Sequence, residues 1–256
     1  MLSYTYINNN MKENIIFIHG LGVGCEIFTE QTHFFSKHYN LILIDLNGHG
    51  QSKDNPLHLI ENKSFTTIAR SILSIMDNLE IYKCHFIGLS LGTIIINYVA
   101  DLAPNRVKSM TLLGNATRYP KISSLLIPLT WFLRHILHYK LIYIFLWFFI
   151  IPKNQLYYCI NLYIHHLSKL GQKEFFSWFS LLKDFKEENL FQSTNIPKIY
   201  IMGEHDPFLL PTREIVETDE LASLIVVNKA YHLVNLTNSS LVNNFILQFL
   251  KINSYS

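Results

Sequence analysis

Cysteine is scarce in this 256-residue sequence, and neither sign of charge dominates. The three cysteines, Cys25, Cys84 and Cys159, are an odd number at wide spacings, which argues against a disulfide framework and against a zinc site. This cysteine usage fits a reducing cytosol. The formal net charge of +2 at pH 7 gives no reason to expect a nucleic-acid partner.

The first 14 residues show no cationic stretch followed by an apolar core, so we expect no signal peptide and a cytoplasmic location. Apolar residues, in contrast, make up 49 % of the chain and aromatic residues 14 %, which is ample for a sizeable core. The length suits one large α/β domain or a domain with an insertion.

Short apolar runs of strand type alternate with helical patterns along most of the chain. The predicted strands lie at residues 15–18, 41–44, 84–87, 106–113, 199–202 and 224–227. The predicted helices lie at residues 26–38, 64–79, 94–100 and 239–252. Because strands and helices alternate, the sequence predicts an α/β fold with a mostly parallel sheet and helices on both faces.

A serine framed by glycines follows the third of these strands. Residues 88–92 are GLSLG and join the apolar run before them directly to a helical run. In so tight a turn, a side chain at Gly88 or Gly92 would collide with neighbouring backbone. Ser90 would stand above a helix N-terminus, where positive partial charge favours an anion. This pattern is typical of a nucleophile elbow, although a plain glycine-containing loop of an α/β protein is the alternative.

Three glycines also follow the first strand, where residues 19–24 are HGLGVG. They let the backbone approach a ligand closely. The positions of Gly20, Gly22 and Gly24 do not fit the G-x-G-x-x-G fingerprint, so we expect no dinucleotide site. We expect no cofactor and no metal ion.

Ser90, Asp206 and His232 each follow a predicted strand, in the order nucleophile, acid and base. The carboxyl ends of parallel strands meet at one edge of a sheet, so three loops there can bring these residues together. A serine needs an adjacent imidazole to take its proton, and the imidazole needs a carboxylate to fix its tautomer. Singly, Asp206 also suits a turn before Pro207, and His232 is one of twelve histidines. Together they favour a catalytic triad.

Five motifs in order extend this pattern. They are HGLG at residues 19–22, DLNGHGQS at 45–52, GLSLG at 88–92, GEHD at 203–206 and YH at 231–232. With them the chain resembles the α/β-hydrolase superfamily, in its cap-bearing, esterase-like branch, outside one insertion. The motifs are weakly specific for substrate. Asn47 stands where the family usually has arginine, and the short N-terminal segment implies that one or both antiparallel strands of the family are missing or reduced.

The resemblance implies a role for each matching residue. Ser90 would be the nucleophile, His232 the base and Asp206 the acid. The backbone N–H groups of Leu21 and Leu91 would form the oxyanion hole. The loops that support these groups would contribute His19, Gly20, Gly22, Gly88 and Gly92. A serine at position 90 argues against dehalogenase and epoxide-hydrolase chemistry, which an aspartate there would imply.

Residues 119–188 interrupt the alternation with long apolar and aromatic stretches. We interpret them as a helical cap inserted between two parts of the core, residues 1–118 and 189–256. Residues 141–151 carry no charge, but eleven residues are too few to span a bilayer. From Arg118 to Lys173 there are seven basic and no acidic residues. This composition suits a plain packed cap, an acyl-binding pocket, or peripheral contact with an anionic membrane surface.

The sequence therefore predicts a serine hydrolase that cleaves a carboxylic ester, with a hydrophobic acyl or alkyl group, through a triad and an acyl-enzyme. The partner is an apolar small-molecule ester. Thioesterase, lactonase and carbon–carbon bond hydrolase activities use the same residues and stay open. Non-catalytic ligand binding on the same fold and a membrane-associated interaction module are the alternatives from other classes. The patterns do not indicate an oligomeric state.

Overall fold

Seven strands form one sheet at the centre of the fold. The computed structural model describes residues 1–148, 170–185 and 195–254. The strands are β1 (Ser3–Ile7), β2 (Asn14–Ile18), β3 (Asn40–Asp45), β4 (Cys84–Leu89), β5 (Val107–Leu113), β6 (Lys198–Gly203) and β7 (Ala222–Val227). Their spatial order is β1-β3-β2-β4-β5-β6-β7. All neighbouring pairs are parallel except β1 with β3.

Helices cover both faces of this sheet. Those described are α1 (Thr29–Phe35), α2 (Phe65–Asn78), α3 (Leu91–Leu102), α4 (Ser123–Leu133), α5 (Tyr139–Phe148), α6 (Gln172–Asp184), α7 (Leu209–Val216), α8 (Val234–Thr237) and α9 (Ser239–Ile252). Side chains alternate across each strand. Phe17 of β2 accordingly packs in a buried cluster with residues of α1 and α9, while its neighbour Ile16 packs in a second cluster with α2 and α3. The predicted α/β fold with a mostly parallel sheet and helices on both faces is confirmed.

Two local differences separate the structure from the sequence patterns. The antiparallel edge strand β1 is present at Ser3–Ile7, where the apolar runs did not indicate a strand. Its residues are mostly half-buried, and the strand depends on its pairing with β3. The helix predicted over residues 26–38 begins as a 3₁₀ turn at Cys25–Phe28 and continues as α1 only to Phe35. By contrast, α2 begins as expected after Ser64, whose hydroxyl accepts the N–H of Thr67 as an N-cap.

The predicted cap segment contains α4, α5 and α6 in its described part. Residues 149–169, which include Cys159, and residues 186–194 lie outside the described residues. The division into a core of residues 1–118 and 189–256 and a cap of residues 119–188 stays a prediction. Among the described helices, none combines the length and apolarity needed to cross a membrane.

Helix α6 is anchored to the core at two points. The indole N–H of buried Trp178 donates to the carbonyl oxygen of Asn47, in the loop after β3, at 3.0 Å. The buried carboxylate of Glu174 accepts the backbone N–H groups of Leu57 and His58 at 2.6 and 3.1 Å. Since α6 also forms part of the cavity described below, these contacts fix a wall of that cavity to the core.

Candidate active site

Ser90 sits at the tip of the turn that joins β4 to α3. Its φ of 52° and ψ of −113° are unusual for a residue with a side chain. Three hydrogen bonds hold this conformation. The Ser90 N–H donates to Leu113 O at 3.0 Å, and the Ser90 carbonyl accepts both the N–H and the hydroxyl of Thr93, at 2.8 and 2.6 Å. The turn therefore presents the serine hydroxyl away from the sheet in a fixed direction.

The two glycines that frame Ser90 stand where the chain comes too close for a side chain. A Cβ on Gly88 would lie 2.6 Å from Ile96 Cδ1 and 2.8 Å from the carbonyl carbon of Gly92. A Cβ on Gly92 would overlap the carbonyl oxygen of Ile18, at the end of β2. Both approaches bring α3 against the strands, so the sharp turn depends on glycine at these positions.

Asp206 follows β6 and His232 follows β7, and the fold brings both to Ser90. His232 Nε2 lies 2.9 Å from Ser90 Oγ, and His232 Nδ1 lies 2.9 Å from Asp206 Oδ2. The Asp206 carboxylate is buried, and its Oδ1 accepts the N–H of Phe208 at 2.9 Å. With Nδ1–H donated to the carboxylate, the Nε2 lone pair faces the serine hydroxyl. In this geometry, His232 Nε2 can accept the hydroxyl proton of Ser90.

A buried histidine, His49, orients the loop that carries Leu21. Its Nε2 accepts the N–H of Gly22 at 3.0 Å, and its Nδ1 donates to Asn47 O at 2.9 Å. Burial lowers the pKa of His49 to about 3, and neighbouring His19 adds to the shift. The neutral ring is the form that can accept the Gly22 N–H. Sequence reasoning did not assign a role to His49, although it lies within the motif at residues 45–52.

His19 makes the reciprocal contact from the other loop. Its Nε2 accepts the N–H of Leu46 at 3.0 Å, and its Nδ1 donates to Gly20 O at 2.7 Å. Its ring lies beside that of His49, with centroids 4.9 Å apart. Two buried histidines thus tie the loop after β2 to the loop after β3, which gives the predicted supporting residue His19 a definite contact.

The two N–H groups predicted to form an oxyanion hole are free to bind a ligand. Leu21 and Leu91 both line the cavity at Ser90, and neither backbone N–H has an acceptor among the described residues. Leu91 is the first residue of α3, where N–H groups lack partners within the helix. The Tyr143 hydroxyl of α5 donates to the carbonyl oxygen of Leu21 at 2.7 Å, so the cap segment also holds this loop.

A cavity of about 190 Å³ opens at Ser90. Its wall combines core loops with residues of α4, α5 and α6, and within the described residues it holds no charged side chain. The hydroxyl of Tyr119 donates to Leu182 O at 3.0 Å and that of Tyr143 donates to Leu21 O, so neither hydroxyl proton is left to donate to a ligand. The space beside the serine is therefore largely apolar.

One cluster of metal-ligand type lies near the loop after β2. Potential ligand atoms of Cys25, Glu26 and Asp45 lie within 4.8 Å of one another. The Asp45 carboxylate, however, accepts the N–H groups of Cys25 and Gln51 at 2.8 and 2.9 Å. Burial raises the pKa of the Cys25 thiol to about 12, which keeps it protonated. These contacts give the cluster a structural role in shaping the loops.

Comparisons with known proteins bear on the fold. A family model of the alpha/beta hydrolase fold matches residues 13–137. The (E)-2-((N-methylformamido)methylene)succinate hydrolase of Acinetobacter baylyi is 30 % identical over 109 residues, which cover 43 % of this chain and 40 % of that protein. A pimeloyl-[acyl-carrier protein] methyl ester esterase of Methylococcus capsulatus is 29 % identical over 105 residues, 41 % of this chain and 38 % of that protein. The chain thus spans well under two thirds of the length of these relatives in the matches.

A solved structure covers the chain almost completely. The enol-lactonase from Burkholderia xenovorans LB400 superimposes with a TM-score of 0.80 over 98 % of this chain and 96 % of that chain, at 19 % sequence identity. A likeness at this identity concerns the fold.

Proposed function

We propose that the chain is a serine hydrolase of the α/β-hydrolase superfamily that cleaves carboxylic esters with a hydrophobic acyl or alkyl group, because a family model of that fold matches residues 13–137 and the chain has the fold. One observation carries the proposal: Asp206, His232 and Ser90 form a continuous hydrogen-bonded line that ends at an apolar cavity. Serine hydrolysis needs these three groups in this order.

The first half-reaction forms an acyl-enzyme. Ser90 Oγ attacks the ester carbonyl carbon while His232 Nε2 takes the hydroxyl proton. The negative charge that develops on the carbonyl oxygen is stabilised by the N–H groups of Leu21 and Leu91. The carbon–oxygen bond to the alcohol then breaks, and His232 returns the proton to the leaving oxygen. Asp206 balances the charge of the imidazolium between these steps.

The second half-reaction consumes one water. His232 Nε2 removes a proton as the water oxygen attacks the acyl carbon, and the same N–H groups bind the second oxyanion. Collapse of this intermediate breaks the bond to Ser90 Oγ, which regains a proton from His232. The acid is released, so the balance is one ester and one water for one acid and one alcohol.

The lining of the cavity favours a substrate with an uncharged acyl group. A related hydrolase is named for a succinate derivative, which carries carboxylates. Burial of a carboxylate needs a cation or several hydrogen-bond donors. Within the described residues, the cavity offers no cation, and the two tyrosine hydroxyls on its wall are already bound. An uncharged chain or ring fits this wall better, and a lactone or thioester with such a chain would react by the same steps.

A fluorophosphonate probe tests the enzyme assignment. It should label the wild-type protein and should not label Ser90→Ala. Ser123→Ala is the matched control, because Ser123 lines the same cavity, whereas the serine hydroxyl hydrogen-bonded to His232 Nε2 is that of Ser90. Labelling of Ser90→Ala at the wild-type level, or none in folded wild-type protein, would contradict the proposal.

A series of p-nitrophenyl esters tests the acyl preference. We expect kcat/KM to rise from acetate to octanoate, and to be much lower for the hemisuccinate than for the butyrate, because the cavity would have to bury an unpaired carboxylate. A steady preference for acetate, or equal rates for hemisuccinate and butyrate, would refute the apolar acyl site.

A further inference from the structure

The predicted cap segment carries a row of apolar side chains in solvent. We call it the α4–α5 apolar face: Leu125, Leu129, Phe132, Ile136 and Leu141. Leu125, Phe132 and Ile136 are between 64 % and 69 % exposed. Single exposed apolar residues are ordinary, but a contiguous group marks an interaction surface.

The spacing makes this face continuous on α4. Leu125, Leu129 and Phe132 are separated by four and three residues, which places them on one side of the helix. Leu126 and Ile127 lie outside this row on α4 and line the cavity. A helix at the surface of a water-facing protein has a polar outer stripe. On α4, apolar residues occupy the outer stripe as well, so it is built for an environment other than water.

The charged side chains that this segment itself contributes are all basic. Between Arg118 and Lys173 the sequence holds no acidic residue. Lys121 precedes α4, Arg134 follows it, and Lys140 lies in α5. The guanidinium of Arg134 stacks on the ring of Trp131, 3.5 Å from its centroid. Cations and a tryptophan beside an apolar stripe are the combination that anchors a helix at the headgroup level of an anionic bilayer.

We propose that the α4–α5 apolar face docks on an anionic lipid surface. Phe132 and its neighbours enter the boundary between headgroups and acyl chains, while Lys121, Arg134 and Lys140 contact lipid phosphates. With 11 and 10 residues, α4 and α5 lie along the surface, since about 20 residues are needed to span a bilayer. An apolar protein partner would not require the segment's own charges to be exclusively basic, whereas attraction to anionic lipid favours such a segment.

Docking has a consequence that rests on the proposed function. Since α4 is also a wall of the cavity, a docked cap would place an amphiphilic ester of the bilayer close to Ser90. The docking itself does not depend on catalysis. Ser90→Ala should therefore bind vesicles as wild type does, which separates failure of docking from failure of hydrolysis.

Sedimentation with vesicles tests the proposal. The full chain should pellet with vesicles of phosphatidylcholine and phosphatidylserine, much less with phosphatidylcholine alone, and less as salt rises. We expect Phe132→Ser to weaken binding about tenfold. Lys121→Gln and Lys140→Gln should each weaken it about fivefold, the effect of one cation near such a surface.

The matched controls lie on α9, away from the cap. Ile252 is 78 % exposed and Lys251 is its exposed neighbour, so Ile252→Ser and Lys251→Gln should bind as wild type does. Far-UV circular dichroism checks that every variant is folded. Absence of binding by wild type, equal binding to both lipid mixtures, or equal losses in the α9 controls would overturn the proposal. Sedimentation velocity tests for a dimer. If the wild type dimerises, Phe132→Ser does not, and neither binds vesicles, the face belongs to a contact with a second copy of the chain and the lipid proposal is overturned.

Discussion

Replacing the buried carboxylate of Glu174 should loosen the predicted cap without touching the serine. Glu174 is 2 % exposed and accepts three hydrogen bonds: from the N–H of Leu57 at 2.6 Å, from the N–H of His58 at 3.1 Å, and from His58 Nδ1 at 2.8 Å. The change Glu174→Gln keeps the shape of the side chain. It turns one acceptor oxygen into an NH₂ donor that faces the donors of His58.

The expected loss of unfolding free energy follows from the hydrogen bonds that the substitution removes. A hydrogen bond to a charged group contributes about 1.5–3 kcal/mol, and less where a partner is solvated, as the His58 ring partly is. Glutamine keeps the bond to Leu57 and loses those to His58. We therefore expect Glu174→Gln to lower the free energy of unfolding by about 2–3 kcal/mol. Glu174→Ala, which leaves both backbone donors without an acceptor, should cost about 3–5 kcal/mol.

Intrinsic fluorescence during urea unfolding measures this effect selectively. All three tryptophans, Trp131, Trp147 and Trp178, lie in the predicted cap segment, so their emission reports on that segment and on its contact with the core. Circular dichroism follows the whole fold in parallel. The control is Glu61→Gln, because Glu61 is exposed near the same turn of the core. An unchanged fluorescence midpoint in Glu174→Gln, or an equal shift in Glu61→Gln, would refute the anchoring argument.

Three further predictions concern the site and its loops. Asp206→Asn should lower kcat for a p-nitrophenyl ester about 10⁴-fold, because the amide favours the wrong imidazole tautomer, and a loss under tenfold would contradict the triad. The pKa of His49 is about 3 in the folded chain against about 6.5 in the unfolded chain, so between these pH values only the unfolded chain binds a proton at this ring. The contribution of neutral His49 to the free energy of unfolding is therefore complete above about pH 6.5 and decreases as the pH falls towards about 3. His49→Gln should reduce the pH slope of the unfolding free energy by up to about 1.4 kcal/mol per pH unit, and an unchanged slope would disprove this linkage. Gly92→Ala should destabilise by about 3 kcal/mol in urea through its clash with Ile18, against about 1 kcal/mol for Gly171→Ala, which meets no neighbour but has a positive φ.

Elements whose stability is local were predictable from the sequence. The closing helix was expected over residues 239–252 and is observed as Ser239–Ile252, because its apolar spacing is complete within the segment. The strand expected at residues 15–18 is observed as Asn14–Ile18 for the same reason. The edge strand β1 was not predicted, because its half-buried residues alternate only weakly and its hydrogen bonds are made with β3.

The residue types of the site and the sheet edge at which they lie were predictable, since both depend on motifs and on strands read from local apolar patterns. The pairing of groups within the site, in contrast, depends on the packing of the folded chain. Ser90 and His232 are 142 residues apart in the chain, and Glu174 and Leu57 are 117 apart. Local sequence encodes burial and backbone conformation, whereas the partner of a buried polar group depends on how remote segments pack. The contacts of His49, Tyr143 and Glu174 therefore became visible only in the folded chain.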